Sequence, residues 1–439
     1  MGISGSEREL TAMYRRLPHG PHGMGREAVA RHQRARLYGA MIEAIARQGY
    51  RATTVAHVIA LAGVSRRAFY EQFANKEACF LATYDIAVAR AKKRTLEGWL
   101  AERGWANRTH RACQAFFEDS ARNAKATRLI LVDGLEIGVS SRERMLRSGL
   151  AFERAIAAAF KAAPDGIALP PLAPKAIVGG TRYALFNRML DDRDCELTGL
   201  SDELLDWISA LRSPAARLGT LEHVPHTPVE PARFLESDEK RCRVLGAIVH
   251  LTLDQGYREL TDPQIAQFAG MSTESFHKHF PTKRACYLAV VEEFFGEVID
   301  VVAAAGARAS NWPEAAYLGV RAAIEHLVAH PGLVKMAFVD VFDLGHGMAE
   351  PLGRLLERLA LRLRESAPEP LRGPQIAHEM VIGASWALLS SYAASKRIKY
   401  VLSLIDHIAF LVLAPYIGPK TAALTIESTR RRLLSEARC

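Results

Sequence analysis

The sequence predicts an all-α protein made of two tandem copies of one helical unit. Two observations carry this. Almost every periodic segment spaces its apolar residues three or four positions apart, the repeat of an amphipathic helix. The chain also repeats itself: residues 62–80, AGVSRRAFYEQFANKEACF, align without a gap with residues 269–287, AGMSTESFHKHFPTKRACY, at an offset of 207. A chain of 439 residues is too long for one compact core, so two or more domains are expected.

The offset holds far beyond that stretch. Gln48-Gly49-Tyr50-Arg51 matches Gln255-Gly256-Tyr257-Arg258, Trp105 matches Trp312, and Val132-Asp133 matches Val339-Asp340. Gly138 matches Gly345. Farther on the offset drifts by a few residues, and Gly180 with Tyr183-Ala184-Leu185 answers Gly383 with Trp386-Ala387-Leu388. The duplication therefore covers nearly the whole chain. Between the copies, residues 212–237 carry Pro214, Pro225, Pro228 and Pro231. Proline breaks helices and cannot donate a backbone hydrogen bond, so this reads as an extended linker.

Within one copy, Leu37, Met41, Ile42 and Ile45 form one buried stripe, and Gly49 stops that helix. Thr54 opens a second helix carrying Val55, Val58, Ile59 and Leu61, and a turn follows at Gly63. Ser65 N-caps a third helix, and Asn75-Lys76 opens a fourth with Cys79, Leu81 and Ile86. In the second copy Thr261-Asp262-Pro263-Gln264 is a capping box with proline in the first turn. Two short helices joined by a tight glycine turn make a helix-turn-helix, whose second helix enters the DNA major groove. That helix is 65–73 in copy one and 272–280 in copy two. Residues 62, 64, 69 and 73 face inward and 66, 67, 70 and 71 outward; Phe69, Phe73, Phe276 and Phe280 are core.

The run Thr54-Val55, Ile59-Ala60, Ala62-Gly63-Val64-Ser65, Phe69-Tyr70, Phe73 and Lys76-Glu77 resembles the N-terminal DNA-binding domain of TetR-family transcriptional regulators. The resemblance implies an all-helical C-terminal domain that binds a small ligand and pairs through a four-helix bundle. It thus implies a ligand-responsive repressor. The expected order is a basic N-terminal arm (1–30), helix-turn-helix domain 1 (31–89) and helical ligand and dimerisation domain 1 (90–211). The linker (212–237), helix-turn-helix domain 2 (238–296), helical domain 2 (297–419) and a C-terminal tail (420–439) follow. Family members work as two-fold dimers, so segments near 174–211 and 376–416 would form the bundle inside one chain, a covalent pseudo-dimer. It would act alone or as a homodimer of pseudo-dimers, in the bacterial cytoplasm, associated with the nucleoid.

Charge separates the copies. Residues 31–90 hold nine Lys and Arg against four Asp and Glu, a net +5; residues 238–297 hold seven against nine, a net −2. Phosphate contacts dominate protein–DNA affinity, so copy one is the expected reader of double-stranded DNA. The candidate contact residues are Thr54, Ser65, Arg66, Arg67, Tyr70 and Lys76 in copy one. In copy two they are Thr261, Thr273, Glu274, His277, Lys278 and Lys283. Arginine pairs bidentately with guanine, and Lys76 and Lys283 are expected at phosphates. Tyr70 matches the family tyrosine on the phosphate backbone, which His277 replaces. Copy two then reads a different half-site, or none and serves as a protein-contact face. Arg8, Arg15, Arg16, Arg26, Arg31, Arg34 and Arg36 belong to a basic arm or a solvated tail.

No motif carries catalysis. A phosphate-binding loop, a dinucleotide glycine pattern and GxSxG are absent from the sequence, so no enzyme and no cofactor are expected. His19 and His22, and Asp340, Asp343 and His346, lack metal-site spacing. The six cysteines form no CxxC pair, as expected of free thiols in a reducing compartment. No run of ~18 uninterrupted apolar residues suggests a membrane span. The net charge of +9 favours a polyanionic partner. Candidates for an effector pocket are Phe116, Phe117, Leu131 and Tyr183 in copy one, and Tyr317, Phe338 and Trp386 in copy two. Such a lining suits an apolar or aromatic small molecule.

Overall fold

The computed structural model describes residues 26–164, 169–212, 232–236, 239–344, 347–371, 375–395 and 397–436, and all regular structure among them is helical. The first copy runs α1 (Arg26–Ala52), α2 (Val55–Ala62), α3 (Arg66–Tyr70), α4 (Lys76–Ala101), α5 (Trp105–Arg122), α6 (Ala124–Leu131), α7 (Val139–Lys161), α8 (Ala173–Leu190) and α9 (Leu200–Ala210). The second repeats this order as α10 (Lys240–Gln255), α11 (Asp262–Phe268), α12 (Thr273–His279), α13 (Lys283–Gly306), α14 (Trp312–Ala329), α15 (Pro331–Phe338), α16 (Ala349–Ser366), α17 (Gln375–Ala394) and α18 (Ile405–Ile417). It ends on α19 (Pro419–Glu436).

The repeat reaches single turns. Gly49 and Gly256 have φ of 74° and 86°, and Gly63 and Gly270 have 58° and 68°. These left-handed values favour glycine and end the helices before them. Thr54 and Thr261 close capping boxes, and Ser65 and Ser272 accept the amides of Ala68 and Ser275. In copy one the box is completed by His57, whose Nδ1 accepts the Thr54 amide at 3.3 Å; Gln264 does this for Thr261 at 2.9 Å.

Three expected boundaries move. α1 already begins at Arg26, so residues 26–30 are helix rather than arm. Residues 233–236, assigned to the linker, form a helical turn; Phe234 is buried and its amide donates to Glu297 at 3.3 Å. The expected tail is α19, whose Ala422, Ile426 and Thr429 are buried because an apolar stripe recurs along it. Arg8, Arg15, Arg16, His19, His22, His346, Cys439 and most of the linker lie outside the described residues.

The chain divides into two compact units. The first joins Met1–Phe152 with Leu185–Asp202 and Gly345–Ala349. Its core packs Leu37, Met41 and Ile45 of α1 against Val58, Phe69, Phe80, Tyr84 and Leu129. Full burial of each large side chain contributes about 1.5–3 kcal/mol. α4 crosses α5 at Gly98, where a Cβ would stand 2.7 Å from the Arg111 carbonyl.

The second unit joins Glu153–Ala184, Glu203–Leu344 and Glu350–Cys439. Within it α8 crosses α17 on glycines. A Cβ at Gly180 would lie 2.8 Å from the Met380 carbonyl, and one at Gly383 would lie 3.1 Å from the Gly180 Cα. Gly180 and Gly383 are repeat counterparts, so one position of the unit meets its own image, as at a two-fold axis. Tyr400–Ile417 is long and apolar enough to cross a membrane by length and composition, and 61% of it is buried in the protein.

Candidate nucleic-acid interface and effector cavity

The first helix-turn-helix is built by α1–α4. Val58, Ala62, Phe69 and Phe73 are buried, and Phe69 meets Phe73 with ring centroids 5.8 Å apart. This pins α3 by its inner face. α3 is shorter than the 65–73 expected: it ends at Tyr70 and leaves Phe73 on the turn that follows. Arg36, expected in the arm, is buried. Its guanidinium donates to the carbonyls of Ala62 and Gly63, the latter at 2.9 Å, and so holds the turn between the two helices. The last carbonyls of a helix lack internal partners, which is why a buried guanidinium is tolerated there. Arg34 donates to Gln72 at 2.6 and 2.9 Å.

The expected phosphate lysines face inward instead. The Lys76 ammonium donates to the carbonyls of Tyr50 at 2.9 Å and Thr53 at 2.8 Å, above the Tyr50 ring at 4.0 Å. Lys283 repeats this with the carbonyls of Tyr257 at 3.2 Å and Leu260, above the Tyr257 ring at 4.7 Å. A cation in the first turn of a helix opposes the helix dipole, and the carbonyls before the next helix offer compensation. Burial pushes the pKa of both lysines down.

The remaining groups of α3 are presented. Arg66, Arg67 and Tyr70 are exposed, and Arg66 lies over the Tyr70 ring at 5.7 Å. Arg67 pairs with Glu71 at 2.8 Å, a partner that sequence reasoning placed on the outward face without weighing its charge. An exposed pair of this kind contributes little to stability. Thr54 and Ser65 are exposed, but their hydroxyls accept backbone amides.

α12 presents a different surface. Glu274 pairs with Lys278 at 3.0 Å, and both are exposed; Thr273 is half-buried. His277 reaches Asp262 at 3.7 Å, while Asp262 also accepts the Lys283 amide at 3.1 Å. Copy one has Val55 in place of Asp262 and Tyr70 in place of His277. Thr261 serves the capping box. Asp340 and Asp343 each hold a basic partner, Lys335 at 2.6 Å and Arg258 at 3.0 Å.

The second unit contains a cavity of about 440 Å³ walled by α13–α18. Phe338 and Trp386 line it, with ring centroids 4.4 Å apart. Tyr317 does not: its hydroxyl donates to buried Asp406 at 3.1 Å, away from the cavity. Arg430 of α19 also reaches Asp406, at 3.0 Å, and burial pushes this carboxyl above its ordinary pKa despite the arginine. The signal that sequence reading missed is the stripe Ala315, Ala316, Gly319 and Ala323 on α14, small residues that leave the space open. Of the copy-one candidates, Phe117 and Leu131 are core and Phe116 packs edge-on against Phe117 and Phe152. Tyr183 is buried beside the Gly383 crossing.

The profile of bacterial regulatory proteins of the tetR family matches residues 39–83 and again residues 244–290. No curated protein sequence matches the chain. Among solved structures, the fatty acid degradation regulator FadR from Bacillus halodurans is 21% identical over 40% of this chain and 94% of its own, with a TM-score of 0.34. FadR from Bacillus subtilis, in complex with stearoyl-CoA, is 17% identical over 39% and 96%, with a TM-score of 0.35. A TetR-like transcriptional regulator from Rhodococcus sp. RHA1 is 17% identical over 45% and 96%, with a TM-score of 0.27. Both profile matches fall on the two helix-turn-helix segments built above, so the chain carries the N-terminal domain of the tetR family twice.

Proposed function

We propose that the chain is a transcriptional repressor that binds double-stranded DNA as a covalent pseudo-dimer and reads an asymmetric operator. An apolar effector in the cavity favours a spacing of the two readers that no longer fits DNA. The carrying observation is that α3 exposes Arg66, Arg67 and Tyr70 while α12 exposes Glu274, Lys278 and His277. The meeting of Gly180 with its counterpart Gly383 supports the pseudo-dimer, because self-complementary contact is the mark of a two-fold interface. In this reading domains 31–89 and 238–296 are the readers, and 90–211 and 297–419 the helical partners.

The test is affinity for genomic fragments selected with the purified chain, measured against salt. Arg67→Ala is expected to weaken one half-site by about 1–3 kcal/mol if it pairs with a base. Glu274→Ala leaves affinity unchanged or raises it. Affinity that does not fall with salt, or an Arg67→Ala protein that binds as the parent does, overturns the reading. A second reading, a sensor in which α12 serves protein contact alone, is favoured by the acidic balance around that helix. It predicts that substitutions on α12 leave the footprint of α3 unaltered.

A further inference from the structure

The two copies differ as much in their interiors as in their reading faces. In the second unit Gly306 of α13 and Ala315 of α14 sit side by side on the cavity wall, with a Cβ on Gly306 falling 3.6 Å from that of Ala315. At the offset of 207 their counterparts are Trp99 and Arg108. In the first unit those two side chains stack on each other, the guanidinium 5.8 Å from the indole centre. Cavity residue Ala323 has Phe116 as its counterpart, whose ring meets that of Phe152 edge-on at 5.8 Å. Gly98 lets α4 close onto α5, where a Cβ would be 2.8 Å from that of Ala115; Ala305, which carries a Cβ, stands at the matching place in α13. The Trp99–Arg108 stack and the Phe116 ring thus occupy in copy one the positions that line open space in copy two.

The chemistry of the open space is also specific. Its walls are chiefly aliphatic and aromatic, and two of its polar groups have partners within the protein. The Trp312 indole donates to Ser366 at 3.4 Å, and Arg362, two-thirds exposed, pairs with Glu365 at 3.5 Å. An ionic group placed among the aliphatic and aromatic walls, away from Arg362, would lose its water without gaining a partner.

We propose that reading and sensing are divided between the copies: copy one supplies the DNA reader, and copy two alone holds the effector, a single uncharged apolar molecule per chain. This rests on the effector reading above and goes beyond it in stoichiometry, place and ligand class. A chain with one sensor responds to effector without cooperativity, unlike a symmetric dimer with two sites.

The test is a fluorescence titration of the full chain, without DNA, using neutral N-phenyl-1-naphthylamine. The expected result is one site per chain. A graft of the copy-one phenylalanine, Ala323→Phe, with Leu359→Phe added to take up more of the space, is expected to weaken binding more than about tenfold by filling the site. Ala323→Leu is the milder companion, expected to weaken it by a smaller factor, and thermal melts report that both variants are folded. Phe116→Leu is expected to leave the titration unchanged. The anionic relative 8-anilinonaphthalene-1-sulfonate is expected to bind about tenfold more weakly than the neutral probe. Two equal sites per chain, a graft that shifts affinity by less than about twofold in a folded protein, or equal binding of both probes overturns the proposal. DNA affinity of the same variants without probe is read separately, so a failure of DNA binding is told apart from a failure of this inference.

Discussion

Lys76 and Lys283 show how a single charge is read differently in sequence and in space. At the start of a helix each looks like a phosphate ligand; in the folded domain each ammonium is spent on carbonyls beside the preceding tyrosine. Lys76→Met is therefore expected to lower the stability of the free protein by about 1–2 kcal/mol, the charged hydrogen bonds being partly open to water. Urea unfolding measures this; an unchanged midpoint with a flatter salt dependence of DNA binding would return Lys76 to the phosphate. Asp133 is a second case. Burial raises its carboxyl from the ordinary 3.8 to about 7, against the pull of nearby Arg128. Its folded pKa lies above its unfolded one, so its stabilising share is complete below about pH 4 and lost as pH rises through about 7. The loss is on the order of a few kcal/mol, and Asp133→Asn is expected to flatten the melting temperature across that window. A variant that keeps the parent's pH profile contradicts this.

At the scale of elements, what was legible in the sequence was whatever depends on near neighbours. Apolar stripes such as Leu37, Met41 and Ile45 located the helices, and Thr54, Ser65 and Gly63 located their ends. The copy-one capping box was missed because a histidine, His57, takes the place of the usual Glu or Gln. α19 was missed because its partner Asp406 lies on another helix, beyond the reach of local sequence patterns. The cavity was half legible: Phe338 and Trp386 announced themselves as aromatics, whereas the alanines and glycine of α14 that open it carry no chemistry of their own. Glycines also set the α8–α17 crossing. Gly383→Val would put atoms 2.5 Å from the Tyr183 Cβ and 2.8 Å from the Gly179 carbonyl. It is expected to cost more than about 3 kcal/mol in thermal or denaturant unfolding, since both helices would have to part. A variant as stable as the parent would show that the crossing is not the tight contact described.

At the scale of the molecule, duplication within one chain frees each copy from the symmetry that a homodimer imposes. The substitutions follow that freedom: two arginines and a tyrosine on α3, a Glu–Lys pair and a histidine on α12, filled positions in one interior and an open cavity in the other. A symmetric dimer cannot separate these roles, because a change on one side appears on both. The central claim is that one chain reads two unlike half-sites, chiefly through α3. Base-by-base mutation of the operator bound by the purified chain, repeated with Arg67→Ala, tests it most directly. The account predicts two dissimilar half-sites about one helical turn apart, with the base preference of one of them relaxed by Arg67→Ala. A perfect palindrome whose two halves are equally sensitive, and equally weakened by Arg67→Ala, would contradict it.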